Sequence, residues 1–179
     1  TSSKELLTID RSNLANNMWF PQEYVPGIAV SGEQGRWVYQ TGIYSAGERN
    51  REFGNFSGSA FTLISIGYDL AESLGIDEAL LRGNYIYQDP NLGNTFTRQL
   101  EHVTSLNLKL EAGRWGLQTD FSNGQGYLGR SDMWGATFMP YLSVTPKLQL
   151  VTRLTHIASE NPNGVRLTRY EKSLISGWG

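Results

Sequence analysis

A chain of 179 residues suffices for one domain with a sizeable core, or for roughly half of a large barrel. Its 15 Lys and Arg against 17 Asp and Glu leave a net charge of -2 with no basic run, which excludes an electrostatic nucleic-acid binder. With no Cys, and with its two His far apart at His102 and His156, it offers no disulfide framework and no Cys- or His-based metal site.

The apolar stretches are far shorter than the ~20 residues of a spanning helix, so any membrane insertion must use strands. No charged and apolar leader precedes Thr1, which implies either a removed signal or a chain that begins inside a longer protein. Residues 4–17 hold a short strand-like piece, Leu6, Leu7 and Ile9, followed by polar residues. In 36–46, Trp37, Tyr39, Thr41 and Ile43 share one strand face, while Arg36, Gln40 and Gly42 share the other. Over 62–70, Ile64, Ile66, Tyr68 and Leu70 oppose Ser65, Gly67 and Asp69. Around 69–81, Gly75 and the Ile76-Asp77 break leave room for a single helical turn.

Over 99–111, Leu106, Leu108 and Leu110 oppose Glu101, Ser105, Asn107 and Lys109. Trp115, Leu117, Thr119 and Phe121 then oppose Arg114, Gly116, Gln118 and Asp120. In 134–144, Trp134, Ala136, Phe138, Leu142 and Val144 oppose Gly135, Thr137 and Ser143, and Pro140 predicts a bulge in that strand. Leu148, Leu150, Thr152 and Leu154 oppose Lys147, Gln149, Arg153 and Thr155. The run 165–176 mixes Arg166, Arg169, Glu171 and Lys172 over both faces, which suits a strand partly outside a membrane or against another subunit.

About nine strands emerge, and the class is all-β. Their connections alternate: brief near 32–35, 71–77, 112–113 and 145–146, long and rich in Gly, Asn and polar residues at 47–58, 89–98, 123–132 and 159–164. In an antiparallel up-and-down sheet this places tight turns on one edge and long loops on the other, as in outer-membrane barrels. One-apolar, one-polar faces fit two architectures. A soluble β-sandwich hides its apolar faces in a core, whereas a membrane barrel turns them to lipid. Trp37, Tyr68 and Trp115 beside brief turns, with Tyr87, Phe121 and Trp134 beside long loops, resemble two interfacial girdles.

Catalytic signatures are missing: there is no phosphate-binding Gly-rich loop, no nucleophile elbow and no His-Glu-x-x-His. A carboxylate pair for sugar hydrolysis would have to be assembled from distant residues such as Glu101 and Asp120. Asn55-Phe56-Ser57 matches a glycosylation sequon. The expectation is a protein that is not an enzyme and needs no cofactor or metal. Arg36, Arg82, Lys109, Arg114 and Arg153 all fall on polar faces and would line a pore, with Glu101, Glu111, Asp69 and Asp120 available to pair with them.

Residues 27–47, GIAVSGEQGRWVYQTGIYSAG, resemble a strand, turn and strand of the phosphate-selective porin O and P family. Asp10-Arg11-Ser12 and Phe20-Pro21 are similar to that family's elements just upstream, with Asp10 where Glu is more usual. The 148–157 strand, the Glu160-Asn161-Pro162-Asn163 loop and the closing Ser176-Gly177-Trp178-Gly179 also fit its pattern. The resemblance implies one porin domain over 1–179, a central piece of a ~16-stranded transmembrane β-barrel. It also implies a homotrimer in the bacterial outer membrane, in contact with lipid and lipopolysaccharide, that passes small hydrophilic solutes, including anions such as phosphate. Arg11 carries over as the motif arginine near the constriction. The competing expectations are a soluble β-sandwich that binds carbohydrate through Trp115 and Trp134, and a small closed eight-stranded barrel.

Overall fold

The computed structural model describes residues 18, 26–45, 60–90 and 99–164. Alternating β-branched, aromatic and small polar residues build nine strands: β1 (Gly27–Gln34), β2 (Trp37–Ser45), β3 (Ala60–Asp69), β4 (Glu78–Gln88), β5 (Leu100–Ala112), β6 (Trp115–Gly126), β7 (Met133–Thr145), β8 (Leu148–Val151) and β9 (Leu154–Ser159). One helical turn, α1 (Ala71–Leu74), lies between β3 and β4, where the sequence leaves room for one. Each strand from β1 to β8 pairs antiparallel with its chain neighbour, and β9 pairs with β7 beyond β8. The sheet is open among these residues: β1 pairs only with β2, and β8 and β9 pair only with β7.

The expected alternation of short and long connections holds in part, because the β3–β4 connection at 70–77 is longer than the β6–β7 connection at 127–132. On one edge, β1 and β2 join through Gly35-Arg36 and β5 and β6 through Gly113-Arg114, each a two-residue hairpin flanked by paired residues. Both glycines have φ of +60°, the left-handed setting that matches hairpin twist and that a side chain resists. The opposite edge holds the strand ends that flank 46–59 and 89–99, and the connection 127–132.

Pro140 departs from the bulge expected for it. The pairs Phe138↔Leu154 and Tyr141↔Val151 keep one continuous register along β7, which places Pro140 opposite Thr152. The Thr152 amide donates to the Pro140 carbonyl at 3.1 Å, but proline has no N–H to return the bond. The ladder therefore breaks on the neighbouring strand, between β8 and β9, and β7 stays whole. The register shifts instead lie near Leu100 and His102 on β5 and near Thr145 on β7.

The sheet buries the face that carries its polar residues. Ser65 (6%) and Ser122 (2%) are nearly inaccessible, whereas Ile66 (51%), Leu106 (51%) and Leu150 (57%) on the other face are exposed. A flat single layer would expose both faces alike, so the sheet curls toward its polar side. At the long-loop end of that inner face the polar pattern gives way to an apolar cluster of Met18, Phe61, Ile86, Leu100, Val103 and Met133. Met18 is fully buried there, so the segment before β1 contributes to the cover.

Candidate functional site

The inner face is organised as cross-strand rows. One row runs Gln40, Ser65, Asn84, Ser105, Ser122 from β2 to β6, and the next runs Val38, Gly67, Arg82, Asn107, Asp120, Thr137 from β2 to β7. Small and amide side chains at these positions bond laterally. Asn84 Nδ2 donates to Ser105 Oγ at 3.0 Å and to Asn107 Oδ1 at 2.6 Å, and the Ser122 hydroxyl donates to Asp120. Nearer the tight turns, Lys109 Nζ sits 2.5 Å from Glu78 Oε2 and 3.2 Å from Glu111 Oε1. The Tyr141 hydroxyl donates to that same Glu111 oxygen at 2.6 Å.

The cations singled out by strand parity separate into groups. Arg82 and Lys109 stand on the inner face of β4 and β5. Arg153 lies half-buried at the break between β8 and β9, with inner-face parity. Arg36 and Arg114 occupy the two-residue turns themselves, and Arg36 reaches to α1 in the β3–β4 connection while Arg114 reaches to the end of β7. Arg36 donates to Ser73 Oγ at 2.8 Å and to Glu72, whose carboxylate raises the guanidinium further above its ordinary value. Arg114 donates to the carbonyls of Ser143, at 2.8 Å, and Val144. Arg36 thus ties its turn to α1, and Arg114 ties its turn to the end of β7. Arg11, the Asn55 sequon, the motif pieces at 10–12 and 20–21, and the segments 165–176 and 176–179 lie outside the described residues. Glu101 and Asp120 do not converge: Glu101 sits by the β5 irregularity 3.6 Å from His102, and Asp120 lies in the Asn107 row.

The exposed face carries two aromatic groups. At the tight-turn edge Trp37 meets Tyr68 edge-on, with ring centroids 4.8 Å apart. Toward the long loops, Phe121 and Trp134 lie 6.1 Å apart, Trp134 and His156 5.1 Å, and Tyr87 and His102 5.3 Å. The Tyr85 hydroxyl bonds His102 Nδ1 at 2.7 Å. Both histidines thus belong to the aromatic band. Their even parity with Leu106 and with Leu154 was the available signal.

Arg130 lies between strands, where strand parity does not single it out. In the β6–β7 connection it is 7% exposed and donates through Nη2 and Nε to the Gly164 carbonyl at 2.9 and 3.2 Å. Asn161 Nδ2 donates to Ser131 Oγ at 2.9 Å, and Asn163 Nδ2 to the Gly129 carbonyl at 2.5 Å. The loop after β6 is laced to the segment after β9. Nearby, burial pushes the Tyr127 phenol up, against the Gln88 amide that donates to it at 3.1 Å. No group of three or more His, Asp or Glu among the described residues is placed to hold a metal ion.

No family model matches the chain, and neither a curated protein nor a solved structure does so.

Proposed function

We propose that this chain is wall of an outer-membrane porin, a water-filled channel for passive diffusion of small hydrophilic solutes. The observation that carries the reading is the inversion of the sheet. Its apolar side chains, including Ile64, Ile66, Leu106, Phe138, Leu148 and Leu150, are exposed on the outer face, while Ser65, Asn84, Ser105, Asn107 and Ser122, with Arg82, Lys109 and Asp120, turn inward. A sandwich would bury those apolar faces against a second sheet. A bilayer satisfies them instead, and aromatic bands at both strand ends suit its two interfaces. In hydrocarbon the edges of β1 and of β8 with β9 that are unpaired among the described residues must be paired, so further strands complete the wall.

The inner charges favour a general polar channel over a phosphate filter. Arg82, Lys109 and Arg153 are opposed by Glu33, Asp69, Glu78, Glu111 and Asp120, and Lys109 is held between two of those carboxylates. A phosphate path would need successive uncompensated cations. The full chain, reconstituted into planar bilayers, is expected to give stepwise ohmic currents, with reversal potentials in phosphate and chloride salts that lack a strong anion preference. A folded, monodisperse protein in detergent-free buffer that leaves bilayers silent would reject the channel.

A further inference from the structure

Beside β1 lies a cavity of about 160 Å³ lined by Ser31, Gly32, Glu33, Val38, Tyr39, Gln40, Ser65 and Arg82. Glu33 and Arg82 belong to one cross-strand row: Glu33 pairs with Val38, Val38 with Gly67, and Gly67 with Arg82. Three strand spacings put their backbones about 14 Å apart, a gap that one glutamate and one arginine side chain can largely span from its two sides. Val38 and Gly67 lie between them, and the direction of Arg82 is shown by what lies over Gly67. A Cβ at Gly67 would stand 3.5 Å from Arg82 Nε, so the guanidinium stem leans across β3 toward β1.

The two charges nonetheless form no ion pair within 4 Å with each other or with another described residue. Arg82 Nε is buried and has no hydrogen-bond partner among the described residues, which is a costly state for a donor. Ser31, Gln40 and Ser65, in the adjacent row, supply neutral hydrogen-bonding groups alongside the two charges. A free anion at Arg82 would face Glu33, and a free cation at Glu33 would face Arg82. A ligand that carries both charges a few atoms apart meets neither repulsion.

We propose that this cavity binds small zwitterionic amino acids, with the carboxylate on Arg82 and the ammonium on Glu33. The proposal rests on the channel reading for its access from the lumen and gives that lumen a solute class. Binding uses charge-assisted hydrogen bonds at both ends, so loss of either end should weaken it about tenfold.

The test uses L-alanine as probe, with its uncharged analogue lactamide and its anionic analogue lactate, on planar-bilayer currents of the full chain. Alanine is expected to block the current saturably, and lactamide and lactate are not. Glu33→Gln and Arg82→Gln should each raise the alanine dissociation constant about tenfold, whereas Lys147→Gln, in the β7–β8 turn, should leave it unchanged. Equal block by all three compounds, or sensitivity to only one of the two site substitutions, overturns the site. If either variant fails to fold, the comparison of the three compounds on the native chain still decides. A chain that forms no channel overturns the porin reading alone, and equilibrium dialysis of alanine against the detergent-solubilised protein then decides the cavity separately.

Discussion

Leu128, like Gln99, is a described non-glycine residue with positive φ, where local chemistry and fold disagree. Its φ is +52°, followed by Gly129 at +82°, and the turn closes through the Arg130 amide donating to the Tyr127 carbonyl at 3.1 Å. Two successive positive φ values define the hairpin turn that prefers Asn-Gly, and a leucine in that setting costs about 1–2 kcal/mol. Leu128 is 51% exposed, so little packing offsets the cost. Leu128→Asn is therefore expected to raise unfolding free energy by about 1 kcal/mol in urea titrations of the micelle-bound protein, and a loss of stability would contradict the strain. This turn was not legible in the sequence. Because Leu-Gly lacks the Asn-Gly signature, residues 123–132 read as one long loop, although β6 continues to Gly126 and β7 starts at Met133. At Gly35-Arg36 and Gly113-Arg114 the turns were readable from glycine, but the arginines were assigned to strand faces one residue too early.

At the level of elements, period-two alternation identified the strands and their faces because a sheet with one solvated and one packed side enforces that period wherever the register holds. It failed where the pattern changes within a strand. Ile86, Val103 and Met133 share the inner face with Asn84, Ser105 and Gly135, and no periodicity announces that an inward face is polar at one end and apolar at the other. Pro140 was recognised as a disruption, yet only the partner strand reveals which ladder pays for it. Pro140→Val supplies the missing N–H to the Thr152 carbonyl and should fuse β8 and β9 into one strand. Amide exchange at position 140 is expected to slow to the level of its β7 neighbours. The stability gain should stay below about 1 kcal/mol, because valine also frees the unfolded chain. Rapid exchange at 140 would show that the ladder is broken for another reason. Arg130→Ala removes the charged bonds to the Gly164 carbonyl and should increase proteolytic cleavage within 127–132, leaving the strands protected.

For the molecule as a whole, the question is which medium covers the outer face. Leu106 is half exposed and surrounded on its row by Gly83 and Phe121. In water, Leu106→Arg would change stability by less than about 0.5 kcal/mol, as at most surface positions. Against lipid near mid-membrane, it should cost about 2–4 kcal/mol. The substitution thus separates the two solvents by magnitude, read from refolding equilibria in bilayers.

The most direct measurement exploits the absence of cysteine in the chain, which makes single-cysteine spin labelling clean. Labels at Ile66, Leu106 and Leu150 on one face, and at Ser105, Asn107 and Gln118 on the other, are placed in the full chain in liposomes. Collision rates with oxygen, which concentrates in lipid, and with a water-soluble nickel chelate are then compared. A membrane wall predicts oxygen-dominated collisions for the first three labels and chelate-dominated collisions for the last three. Free chelate access to the labels at Ile66, Leu106 and Leu150 would contradict it.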